Sequence, residues 1–168
     1  MRLRVALATL ATAASALVLA PPASADDSLR TLTFSAENGA VPVSGQSADW
    51  ASPDQEVFVQ ELRGGVLRVD ATSNGRDGFA LELAAPGGAR LSEGTHTGVR
   101  QFPTATAPGL RVISYGKTCA DPRGSFTVSG LRRGTTGTLH GVTVTLEHRC
   151  GGDTAPALRA TVVLDTWI

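Results

Sequence analysis

Residues 65–84 read GVLRVDATSNGRDGFALELA, and their alternation decides the fold. In 65–71 the apolar Leu67, Val69 and Ala71 share one parity, while Arg68 and Asp70 take the other. In 78–84 Phe79, Leu81 and Leu83 alternate with Glu82. Successive side chains of a strand point to opposite faces, so a period of two with one apolar parity describes a half-buried strand. The connection 72–77 (TSNGRD) supplies Asn-Gly and Asp-Gly steps, whose residues tolerate the positive φ of a tight turn. The stretch therefore reads as a β-hairpin with one face turned to a core.

The same grammar extends in both directions. Residues 125–131 (SFTVSGL) turn Phe126 and Val128 inward, and 157–166 (ALRATVVLDT) turn Leu158, Ala160, Val162 and Leu164 inward. Residues 142–150 (VTVTLEHRC) set Val142, Val144, Leu146, His148 and Cys150 against Thr143, Thr145, Glu147 and Arg149. Shorter strands are expected at 32–35, 57–60 and 110–115, with loops at 85–94 and 101–109, and Gly141 marks a bulge. Glycine and proline punctuate the chain roughly every 8–12 residues, a spacing that belongs to sandwiches and barrels. About nine strands result, and each has one apolar face to hide. The expectation is an all-β, antiparallel β-sandwich, jelly-roll or immunoglobulin-like, forming a single domain over 26–168.

The first residues point to export. Arg2 and Arg4 precede an uncharged apolar run over 5–20, and Ala23-Ser24-Ala25 gives a small-residue cleavage site before Asp26-Asp27. This is the tripartite pattern of a cleaved signal peptide over 1–25, and the run falls short of the ~20 residues a membrane span needs. A secreted, extracellular protein is expected, with no membrane insertion after cleavage. Two of the 15 basic residues leave with the leader and all 15 acidic ones stay, so the remaining chain is slightly acidic. It has no dense basic cluster to attract nucleic acid or anionic lipid. One lysine (Lys117) among many Arg, Ala and Gly hints at a GC-rich bacterial genome.

Cys119 and Cys150 are the two cysteines. In an exported protein they read as a disulfide, closing a loop of about 32 residues worth roughly 3–4 kcal/mol in the chain-entropy model.

From Leu91 onward a longer pattern emerges: LSEGTHTGVRQFP (91–103), APGLRVISYGKTCADPRGSFTVSGL (107–131) and TLHGVTVTLEHRCGGDTAPALRATVVL (138–164). It resembles a family of exported bacterial β-domains reading L-x-P-G-x-Y, R-F-P-F, P-G-L, G-x-G-x-x-C, G-S-F-x-V, F-E-Q-H-C-E-G and P-A-L-x-G. Both cysteines and the His148-x-Cys150 step fall within the match, and 45–60 fits it more loosely. The chain departs from the pattern at His96 (a tyrosine in the family), at Lys117-Thr118, at Leu146 (an aromatic) and at Ala160 (a glycine). The resemblance implies the β fold and the disulfide. It also implies an accessory or binding role, since such domains accompany other extracellular modules.

Several side chains could carry chemistry. His148, Cys150 and Cys119 could ligate zinc, but no fourth ligand accompanies them, so His148 reads as a half-buried imidazole beside the disulfide. His96 and His140 read as loop or strand-edge residues, and no G-x-S-x-G elbow is present. Asp70 and Glu82, on one face of the hairpin, could form a carboxylate pair of the glycosidase type. Asp70, Asn74 and Asp77 offer oxygen donors for calcium without EF-hand spacing. No metal and no cofactor are expected. With two Trp, one Tyr and five Phe, an extended carbohydrate groove is hard to build. Trp50 and the Asn74–Asp77 turn are the candidate binding surface, with Trp167 a further aromatic of interest. The expected role is a non-catalytic binding or structural module whose partner is an envelope glycan or another secreted protein. A secreted hydrolase acting on a glycan or ester would need a histidine and an acid converging in a cleft. A small protease inhibitor would need a rigid protruding loop, for which 107–110 and 116–124 are candidates.

Overall fold

The computed structural model describes residues 28–72, 75 and 78–166; the expected signal peptide, Asn74, Asp77 and Trp167 lie outside them. The described chain forms β1 (Leu29–Ala36), β2 (Ser47–Ala51), β3 (Glu56–Glu61), β4 (Leu67–Thr72), β5 (Phe79–Ala84), β6 (Gly94–Thr97), β7 (Gly109–Ser114), β8 (Lys117–Thr118), β9 (Pro122–Arg133), β10 (Leu139–Cys150) and β11 (Ala157–Asp165). A single 3-10 turn at Pro86–Gly88 interrupts them. Two sheets result, in the orders β2-β1-β11-β10-β9-β6 and β3-β4-β5-β7-β8, and every strand pair within them is antiparallel. Among the described residues no helix is long and apolar enough to cross a membrane.

The 65–84 hairpin is present as read: β4 and β5 pair with Arg68 opposite Glu82 and Val69 opposite Leu81. Leu67, Val69, Ala71, Phe79, Leu81 and Leu83 are all buried. They face the apolar parity of the larger sheet, where Phe126, Leu146, Ala160 and Phe34 stand in register across β9, β10, β11 and β1. One core cluster contains residues of both faces, so the sheets form a sandwich. The opposite face of the larger sheet carries Thr33, Thr161, Thr145, Thr127 and Thr95 in one row, beside the Glu147–Arg159 ion pair.

Eleven strands are present, where the sequence marked eight segments and suggested about nine in all. The additions β2, β6 and β8 are two to five residues long, and two of them edge the larger sheet while β8 edges the smaller. Edge strands this short show little alternation, because one neighbour suffices to order them. Around Gly141 the β9–β10 register shifts twice, between Leu139 and Gly141 and again before Thr143. The bulge is therefore double, with Gly130 at φ 59 on the facing strand.

Candidate functional site

Trp50 sits on edge strand β2 opposite Leu32, with its side chain on the core side of the larger sheet. Its ring is edge-on to Phe34 (centroids 5.7 Å apart) and to Phe79 of the facing sheet (6.1 Å). Phe34 and Phe79 stack nearly parallel at 4.5 Å. Trp50 is thus half-buried, an anchor of the sandwich's open end and not a free surface indole.

The same cluster floors a recess of about 580 Å3, lined further by Gln46, Asp49, Ser114 and Tyr115. Gly78, the last residue of the β4–β5 connection, lines it too. Trp50 and Gly78 therefore lie at the same end of the molecule. Four of the eight aromatic residues (two Trp, one Tyr, five Phe) meet here. Asp49 also borders it, but its carboxylate lies on the outer face of the sheet, where Oδ1 accepts a 2.9 Å hydrogen bond from the Thr33 hydroxyl.

Tyr115 was not among the sequence candidates. It follows β7 in a two-residue turn to β8, with Ser114 opposite Lys117. Its φ is 47 and that of Gly116 is 74, both in the left-handed region demanded by the tightest hairpin turns. Among the described residues it is the one non-glycine with positive φ. A left-handed L-residue costs about 1–2 kcal/mol, and glycine or asparagine would sit there more easily. The ring is nonetheless 64 % exposed, at the mouth of the recess. A strained backbone that displays a large aromatic over a cavity is an arrangement found at ligand sites. The signal in the sequence is Tyr-Gly bracketed by strand residues, legible only once the turn length is known.

The histidines occupy other places. His148 is 1 % exposed, fully buried where half-burial was expected. Neither of its ring nitrogens has a protein partner, and burial pushes its pKa down to about 4. His96 stacks on Phe126 at 4.6 Å, with Nε2 3.2 Å from the Ser92 carbonyl oxygen. His140 Nδ1 lies 3.3 Å from the Thr166 hydroxyl. Among the described residues no histidine is hydrogen-bonded to a carboxylate, the arrangement a hydrolase would require.

Cys119 and Cys150 are disulfide-bonded with Cα atoms 5.6 Å apart, which removes both sulfurs from any zinc site. The Asp70–Glu82 pair is not a bare carboxylate dyad. Arg68 donates to Asp70 through Nε and Nη2 (2.7 and 2.6 Å) and to Glu82 Oε1 through Nη1 (2.6 Å). Arg111 Nη1 donates to Glu82 Oε2 at 2.6 Å, and its guanidinium lies 5.0 Å from the Phe102 ring centroid. Asp70 is thus engaged by Arg68, and the other two calcium-donor candidates, Asn74 and Asp77, lie outside the described residues. Of the two inhibitor-loop candidates, the first is largely buried and the second is partly strand, with Gly116, Lys117, Ala120 and Asp121 exposed. From Pro108 onward 107–110 is buried, and 116–124 is largely absorbed into β8, the disulfide and β9. A continuous exposed stretch runs instead from Phe102 to Thr106, where the Thr104 hydroxyl accepts from the amides of Thr106 and Ala107.

Comparison of the chain with protein-family models, with curated proteins and with solved structures returns no match.

Proposed function

We propose that the protein is an exported, non-catalytic binding domain whose recess at the Trp50 end holds one ring of a neutral envelope glycan. The observation that carries this reading is the strained Tyr115 displayed beside Trp50 over an aromatic-floored cavity. A sugar ring offers a C–H face that packs on aromatic side chains and a rim of hydroxyls that need hydrogen-bond partners. Trp50 and Tyr115 supply the first, and Gln46, Ser47 and Ser114 supply the second. The volume falls within the 300–1,000 Å3 range of small-ligand sites. Among the described lining residues there is no basic side chain, which favours a neutral ligand over an anionic one. Four aromatics at one end suit a single ring and not an extended chain. Export is supported by the leader pattern and by the disulfide.

The test is retention of the secreted protein on immobilised neutral polysaccharides, with hexose oligosaccharides as competitors. Wild-type protein should be retained and released by the oligosaccharide, and Trp50→Ala should lose at least tenfold in affinity. Absence of retention on every neutral polysaccharide would sink the reading. Trp50→Ala also removes core packing, at a cost of about 2–3 kcal/mol, so its folding is checked alongside.

A further inference from the structure

We propose, building on the glycan-binding reading of the Trp50 recess, that the Cys119–Cys150 disulfide is the device that holds Tyr115 in place over it. A left-handed residue other than glycine persists only where its surroundings over-determine it. Tyr115, with φ 47, is such a residue, and the hairpin that carries it is slight. The returning strand β8 has two residues, and its ladder with β7 is the two pairs Ile113–Thr118 and Ser114–Lys117. β8 edges the smaller sheet, with no strand on its other side. Its side chains add little: Lys117 is exposed, and the Thr118 hydroxyl is buried without a hydrogen-bond partner. The Tyr115 amide donates to the Gly78 carbonyl oxygen at 3.3 Å, beyond the usual range for such a bond.

The residue after β8 is Cys119, 2 % exposed, and there the chain meets a firm anchor. Its partner Cys150 ends β10, a twelve-residue strand paired on both sides, with Cys150 itself opposite Pro122 of β9. Three residues separate Tyr115 from Cys119, so the bridge ties this turn to a central strand of the facing sheet. Without it, a two-residue edge strand must hold a strained turn, and Tyr115 relaxes toward an ordinary backbone conformation. Its ring, 64 % exposed at the mouth of the recess, moves with the backbone. Apparent affinity then falls in proportion to the fraction of molecules that keep the turn.

The test compares wild type with a Cys119→Ala/Cys150→Ala protein, each checked for folding by circular dichroism. NMR shifts of the Tyr115 Cα and Cβ read its backbone without any ligand. They should lie in the left-handed range in wild type and leave it in the variant, while the shifts of β4 and β5 stay. Titration with the hexose oligosaccharide that competes in the retention test should show affinity reduced roughly tenfold. Wild type reduced with excess dithiothreitol should behave like the variant. Glu61→Gln weakens the bonds accepted from Arg90 and Arg133 at the far end of the sandwich, and controls for lost stability. It should keep wild-type affinity and wild-type Tyr115 shifts. A folded variant that keeps the left-handed shifts or the wild-type affinity overturns the proposal, as does an equal loss in Glu61→Gln. A wild type retained by no polysaccharide removes the glycan reading, and the Tyr115 shifts then still decide whether the bridge positions the turn.

Discussion

His148 shows how a single side chain reports its surroundings. Its strand parity with Val142, Val144, Leu146 and Cys150 was legible in the sequence, and the structure honours it. Its depth was not legible, because burial depends on the strands alongside. Gly124 and Leu158 are its register neighbours, and neither offers a polar side chain. A neutral imidazole fits such a site and a charged one does not. The folded pKa, about 4, lies below the ordinary 6.5, so the stabilising contribution is complete above pH 6.5. It is lost as the pH falls from 6.5 toward 4, because the unfolded chain binds the proton first. At about 1.4 kcal/mol per pH unit the loss is on the order of 3 kcal/mol. His148→Leu should therefore flatten the stability curve between pH 6.5 and 4.5, measured by urea denaturation at several pH values. Equal slopes for the two proteins would refute this assignment.

At the scale of elements, the long strands were readable and the short edges were not. β4, β5, β9, β10 and β11 alternate over enough residues for one face to declare itself. β2, β6 and β8 take their order from a neighbouring strand, and such tertiary instruction leaves little trace in local composition. The recess followed the same division. Trp50 stood out as a residue, but its partners Phe34 and Phe79 come from different sheets, and Tyr115 from a turn of unknown length. The sheets are held at both ends of β9. Beyond one end the disulfide links Cys119, after β8 of the smaller sheet, to Cys150 at the end of β10. At the other, Glu61 of β3 accepts hydrogen bonds from Arg133 (2.9 Å) and Arg90 (2.7 Å). Burial raises the Glu61 pKa, but the bonds from Arg133 and Arg90 outweigh it and hold the carboxyl below its ordinary value. The Glu61 clasp remains after reduction, so the reduced protein should still fold, less stable by roughly 3–4 kcal/mol. The midpoint of denaturant unfolding with and without reductant measures this. A shift under ~1 kcal/mol would show that the staple constrains little of the unfolded chain.

For the whole molecule, both outer faces of the sandwich are polar. The larger sheet carries a row of threonines beside the Glu37, Arg159, Glu147 and Arg149 ion pairs, and the smaller sheet the Arg68, Asp70, Glu82 and Arg111 ion pairs. The open end carries a small aromatic recess. The proposed binding role rests on that recess. Its most direct test is Tyr115→Asn. Asparagine accepts the left-handed conformation, so the variant should be as stable as wild type or up to about 1 kcal/mol more stable. It removes the ring over the recess, so affinity for the neutral oligosaccharide should fall at least tenfold. The measurement pairs thermal unfolding with isothermal titration of the same oligosaccharide into both proteins. Stability kept or gained with binding lost is the expected result; binding retained in the folded variant would contradict a ligand site at this end of the sandwich.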